Sequence, residues 1–359
     1  MKLYCTILLL LWPFAVVAQS GGPVLQAGTV RVSGEVTIPV AIKKDSVWLF
    51  LKVPYPFTGE VALYKTLLDT SGHFVLKVNT EVNVNRCAVS TDIDINNQVI
   101  VFLKNGRENN ISFKYGNDGV INKITTSDNA GFTEEELITS LDKFNDMINE
   151  RSNKPVSPLY NKDYSAFIDH TNHVLDRKRG LLNQPPLLSE RMKDIVFKDY
   201  WLAVYYNHVF DYRTEMVLNY RNTNNHKMPD SAVIKHPVRG DYSFLKDLDL
   251  NNPLYLYCFS YPTFTQELLR NSVLNIPRIG DTPVREWTKT IKGILGQLMG
   301  SDQGLFYDML ISNAYAMQFE LELAALTAKQ IRNIKDYCKG GDLEKILPQE
   351  TRTSSKCPN

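Results

Sequence analysis

The period of the hydrophobic pattern changes once along this chain, near residue 127, and that change divides what can be built from it. Before it, apolar residues recur at every second position, the repeat of a strand with one buried face. After it they recur at steps of three and four, the repeat of a helix. Thr29-Val-Arg-Val-Ser33 alternates, Gly34 punctuates, and Glu35-Val-Thr-Ile38 alternates again. Val47-Trp-Leu-Phe-Leu51 and Val99-Ile-Val-Phe-Leu103 are apolar runs of strand length. Segments 61–67 and 73–78 flank Asp69-Thr-Ser-Gly72, the composition of a hairpin turn, and segments 111–115 and 120–124 are joined across Gly116-Asn-Asp-Gly119. Short strands at this spacing predict an antiparallel β-sandwich over residues 29–126.

From residue 127 to 345 the expectation is an all-α domain, which makes the fold class α+β. Thr133-Glu-Glu-Glu136 is a capping box, and Leu137, Leu141, Phe144 and Ile148 then line one helix face. A second helix starts near Asp163. Ser189, just past Pro185-Pro186, caps a longer one running through Trp201 towards Tyr212. Asn251-Asn-Pro253 and Asp281-Thr-Pro283 both read as starts, a capping side chain with proline early in the first turn. Further helices are expected over 284–298, 304–323 and 328–338, the last capped by Thr327 and ended by Gly340-Gly341. Residues 346–359 are polar and read as an unstructured tail.

The compartment is read from the start of the chain. Lys2, an apolar run over residues 7–17 and the small residues of Val16-Val17-Ala18 make a secretory signal peptide over residues 1–18, with Gln19 opening a linker over residues 19–28. The run is shorter than the ~20 apolar residues a membrane span needs. The expected location is therefore the periplasm or outside the cell, without a membrane anchor. With 40 Lys+Arg against 39 Asp+Glu and no basic block, the chain has no electrostatic footprint for nucleic acid. Its 43% hydrophobic content fills a sizeable core.

Four cysteines stand after the signal peptide, Cys87, Cys258, Cys338 and Cys357, and none forms a Cys-x-x-Cys pair. That disfavours a redox dithiol or a zinc ribbon. Cys258 lies in an apolar run and reads as a small buried hydrophobe, while a bridge between Cys338 and Cys357 is left open by their spacing.

No catalytic, cofactor-binding or metal residue is assigned, and no cofactor is expected. His170 and His173, with Asp169 and Asp176, share a helix face but lack further ligands nearby in sequence, so they read as a solvated face. His208, within Tyr205-Tyr-Asn-His-Val-Phe210, reads as a satisfied packing histidine. Gly300-Ser-Asp-Gln-Gly304 lacks the strand-to-helix setting of a nucleophile elbow and reads as a loop. The aromatics Tyr200, Trp201, Tyr205, Tyr206, Phe210 and Tyr212, and Tyr255, Tyr257, Phe259, Tyr261 and Phe264, read first as core. The competing reading is a groove for a peptide or protein partner.

Tyr242-Ser-Phe-Leu-Lys-Asp-Leu-Asp-Leu-Asn251, Leu274-Asn-Ile-Pro-Arg-Ile-Gly-Asp-Thr-Pro283, Gly304-Leu-Phe-Tyr-Asp-Met-Leu310 and Asn313-Ala-Tyr-Ala316 resemble the helical part of the exported TlpA-like disulfide reductases of Bacteroidetes-type bacteria, within the thioredoxin (AhpC/TSA) superfamily. Tyr64-Lys-Thr and Asp69-Thr-Ser-Gly-His-Phe74 resemble that family's N-terminal β domain. The resemblance spans residues 29–347. It implies that a thioredoxin domain of about 110–140 residues, carrying Trp-Cys-x-x-Cys, would come next in the family. No such motif stands in this chain, so no catalytic residue is carried over. Two functions are therefore expected: a redox-inert accessory part of such an oxidoreductase that presents a substrate or partner, or a free-standing cell-envelope module that binds a peptide or protein.

Overall fold

The computed structural model describes residues 22–42, 44–150, 157–224, 226–229, 234–320 and 324–353. The expected signal peptide, over residues 1–18, and Cys357 lie outside these residues.

Eight strands come first: β1 (Leu25–Thr37), β2 (Trp48–Pro54), β3 (Val61–Leu67), β4 (His73–Val82), β5 (Val84–Thr91), β6 (Asp94–Lys104), β7 (Glu108–Tyr115) and β8 (Ile121–Thr126). They form two four-stranded sheets, ordered β4-β1-β7-β8 and β3-β2-β5-β6. The α+β architecture is as expected, with one difference in pairing. All pairs are antiparallel except β1 with β7, which run parallel.

Gly34 does not end a strand. β1 runs through it, in register with Phe74 on one side and Ile111 on the other. A Cβ there would sit 1.6 Å from the Ile111 carbonyl oxygen, so only glycine admits that neighbour. The expected linker over residues 19–28 likewise gives way to β1 from Leu25 onward. The turn at residues 69–72 forms, with Gly72 at φ 83° and the Asp69 carboxylate accepting the Ser71 and His73 N–H groups. It does not make a hairpin, because β3 pairs with β2 while β4 pairs with β1. The turn instead carries the chain from one sheet to the other.

Nine α-helices are described: α1 (Glu134–Asn149), α2 (Tyr164–Arg179), α3 (Glu190–Val204), α4 (Tyr212–Thr223), α5 (Ser260–Arg270), α6 (Val284–Met299), α7 (Leu305–Glu320), α8 (Ala328–Cys338) and α9 (Asp342–Thr353). Three of the expected α-helix caps form, whereas α6 begins after Pro283 with no side-chain cap and Asp281 accepts from the Thr327 hydroxyl instead. The Thr133 and Thr327 hydroxyls accept the N–H groups of Glu136 and Gln330 in complete capping boxes, and Ser189 accepts from Met192. Pro253 opens a short 3₁₀ turn, Pro253–Tyr257, rather than a long helix.

The C-terminal expectation is corrected. Residues 346–353 continue α9 instead of an unstructured tail. Leu343, Ile346 and Leu347, spaced at three and four, are all buried where α9 packs against β1, α7 and α8. Three apolar residues in a polar stretch suffice once other elements supply the facing surface.

Sheets and helices share one continuous core. At their junction Arg86 of β5 meets Asp199 of α3 at 3.0 Å, with both side chains almost wholly buried. Arg86 also donates to the Tyr257 carbonyl, and Asp199 accepts the Ser260 N–H. Nearby, the Asn313 amide of α7 donates to the carbonyls of Pro56 and Phe57, pinning the loop between β2 and β3.

Candidate functional site

Most residues singled out from sequence are not brought together. His170, His173, Asp169 and Asp176 lie on α2, and among the described residues no group of three or more His, Cys, Asp or Glu is placed to hold a metal ion. His208 is not a packing residue. It is half-exposed, with Nδ1 2.7 Å from Glu215 Oε1, and this contact raises its pKa. Residues 300–304 are a loop between α6 and α7, braced by Asn251, which donates to Ser301 Oγ and the Gln303 carbonyl. The loop reading of that segment holds.

Cys87 and Cys258 are completely buried, and burial pushes both thiols well above their ordinary pKa. Cys338 is half-buried and pushed up to about 11, again chiefly by burial. A thiol attacks a disulfide only as the thiolate. At neutral pH these three side chains are almost entirely protonated.

The aromatic residues divide. Tyr200, Tyr205, Tyr212, Tyr255, Tyr257, Tyr261 and Phe264 are buried and build the core, as the first reading expected. Tyr206 and Phe210 are only partly buried, and they border a cleft. Its origin is local. The helix expected to run unbroken from Ser189 towards Tyr212 widens into a π-turn at Tyr205–Val209, where the Phe210 N–H donates to the Tyr205 carbonyl at 2.9 Å. Such an i→i+5 turn inserts one residue into the helix and rotates the next residues about its axis.

The cleft has a volume of about 580 Å³. Tyr206, Asn207 and Phe210 form one wall, and Thr263, Glu267 and Arg270 of α5 face them. Tyr212 is among the lining residues, only 3% of it is exposed, and its buried hydroxyl has no hydrogen-bond partner among the described residues. The neighbouring Tyr242 hydroxyl, by contrast, accepts from the Asn271 amide. At the rim Arg270 pairs with Glu267, while among the described residues exposed Arg213 has no ion-pair partner. The arrangement offers rigid apolar faces, a guanidinium and one unsatisfied buried hydroxyl. These are recognition elements, and no nucleophile–base pair stands among them.

Sequence reading anticipated the aromatics of this cleft but not its shape. No family model, no curated protein and no solved structure matches this chain.

Proposed function

We propose that this chain is an exported, redox-inert binding module that presents a peptide segment or partner protein, the accessory role expected from its resemblance to TlpA-like reductases. The cleft at the π-turn carries the reading. A buried tyrosine hydroxyl left without a partner is costly by about 1–3 kcal/mol, and a ligand that bonds to it recovers that cost. The protonated state of Cys87, Cys258 and Cys338 supports the redox-inert part. The alternative, a free-standing cell-envelope module, is favoured by one observation: the π-turn, α4, α5 and the segments around His236 and Ser272 supply the cleft lining from within this chain.

Fluorescence anisotropy with labelled, reduced and carboxymethylated α-lactalbumin, an unfolded polypeptide, tests the binding role. Thr263→Trp, which fills the cleft, and Arg213→Ala are expected to weaken binding about ten-fold each, the effect of losing one good contact. Wild-type binding that neither substitution alters, or no binding at all, overturns the cleft as the site. Thiol-dependent insulin reduction by the purified protein overturns the redox-inert role.

A further inference from the structure

The two sheets end beside each other in β3 and β4, and those two edges are protected unequally. Between β2 and β3 the Tyr55 N–H donates to the Glu60 carbonyl and the Leu68 N–H to the Val47 carbonyl. Bonded pairs alternate along an antiparallel ladder, so Ala62, Tyr64 and Thr66 bond to β2. Val61, Leu63, Lys65 and Leu67 direct their N–H and C=O groups the other way, off the edge of the sheet. Among the described residues only the Leu67 carbonyl of that row is met, by the Thr66 hydroxyl at 3.5 Å.

The side chains of the same four residues are exposed, and three of them are apolar. Trp48, which faces Leu67 across the ladder, extends that apolar surface. Edge strands are ordinarily blunted by proline, bulges or free charges. β4 has such protection: His73 and Lys77 stand exposed along it, and the Tyr64 hydroxyl takes the Asn79 N–H. β3 contains no proline and pairs with β2 without a bulge. Its single charge, Lys65, is laid towards Trp48, with Nζ 5.6 Å from the ring centroid.

We propose that β3 is a self-association edge, on which a second copy of this chain adds its own β3, antiparallel, about a two-fold axis at Tyr64. Val61 then pairs with Leu67 and Leu63 with Lys65, in both directions across the axis. The pattern of the strand favours this occupant and this register. Every main-chain group directed off the edge finds a partner. Val61 and Leu67 lie equally far from Tyr64, so reversing the strand sets apolar on apolar, beside Trp48. Lys65 falls opposite Leu63 and never opposite the lysine of the second copy. A shift of one residue would set outward-bonding groups against inward-bonding ones. A shift of two residues would either face lysine with lysine or leave Leu67 without a partner. The product is an isologous dimer in which the two four-stranded sheets run on as one.

A seven-residue strand pair is a small interface, below the ~1,200 Å² of stable complexes. A dissociation constant of about 10–300 µM is therefore expected, read by analytical ultracentrifugation of the full chain at pH 7 up to about 1 mM. Leu63 is 58% exposed, so substitutions there leave the fold in place. Leu63→Lys sets an ammonium against Lys65 of the second copy and is expected to weaken the dimer at least ten-fold. Leu63→Glu sets a carboxylate there instead, and the dimer is expected to hold or tighten. The opposite responses separate this register from general apolar adhesion, which both charges would weaken. A chain that stays monomeric to about 1 mM, weakening by both substitutions, or a dimer that neither substitution alters overturns the proposal.

Discussion

Two buried carboxylates, one joining a helix to a strand and one joining a strand to the loop between β2 and β3, are satisfied in opposite ways. Asp199 of α3 faces the Arg86 guanidinium at 3.0 Å and also accepts the Ser260 N–H. Glu81 of β4 accepts from Phe57 and Thr58 but meets no cation among the described residues. The first arrangement is balanced in charge: the guanidinium also reaches the Tyr257 carbonyl and lies over the Phe259 ring at 4.9 Å, although its Nε has no hydrogen-bond partner among the described residues. The second is open: no cation stands beside its carboxyl among the described residues, and burial keeps it protonated to higher pH. A buried carboxylate with a cation keeps its charge, whereas one without a cation takes up a proton instead.

The largest expected effect breaks the balanced pair. Arg86→Ala leaves Asp199 as an uncompensated buried charge and the Tyr257 carbonyl without its donor. A loss of about 3–5 kcal/mol is expected, measured by urea denaturation at pH 7. Replacing both members together, Arg86→Met with Asp199→Asn, should cost less than the sum of the single changes, because neither then strands a charge. Simple additivity would show that the two groups are not coupled and that the contrast with Glu81 is without energetic content.

The open carboxylate predicts a pH dependence of definite sign. Glu81 titrates near 8 in the fold against an ordinary value of 4.5. Below 4.5 the group is protonated in both states and burial costs it no charge. As pH rises further, the unfolded chain ionises first, so stability falls until the folded group also ionises near 8. Between pH 5 and pH 7 the loss assignable to Glu81 is about 2–3 kcal/mol. It is read as the difference between wild type and Glu81→Gln in paired denaturation curves. Curves that stay parallel over this range would mean that Glu81 has a cation partner after all.

This contrast was not legible in the sequence, and the reason is the range of the contacts. Thr133, Ser189 and Thr327 were readable as caps because a cap acts on an amide within three residues. Glu81 stands in an alternating stretch where a solvent-facing residue is expected, and only the loop at residues 55–59, itself pinned by Asn313 of α7, buries it. The same distance hid the parallel pairing of β1 with β7 and the separate sheets of β3 and β4. In each case the local turn chemistry was right, but the partner was set by elements further along the chain. α9 is the converse: its three apolar residues gain meaning only from the surfaces of β1, α7 and α8. The aromatic cleft lay between these extremes, its residues visible and its geometry set by one inserted residue at the π-turn.

The smallest expected effect sharpens the comparison from the exposed side. His208 and Glu215 form a contact of 2.7 Å with the histidine half in solvent, where water screens most of the attraction. The Glu215 carboxylate raises the His208 pKa above its ordinary 6.5, so the contact stabilises the fold fully below that value and ceases to do so as pH rises through the folded pKa. Glu215→Gln should bring the His208 titration, followed by NMR of the imidazole protons, back towards 6.5. It should change stability by less than about 1 kcal/mol. The pKa shift and the stability change thus part company at this site, whereas at Glu81 they should agree. If Glu215→Gln destabilised the protein as strongly as Arg86→Ala does, burial would not be what separates strong from weak charges in this molecule.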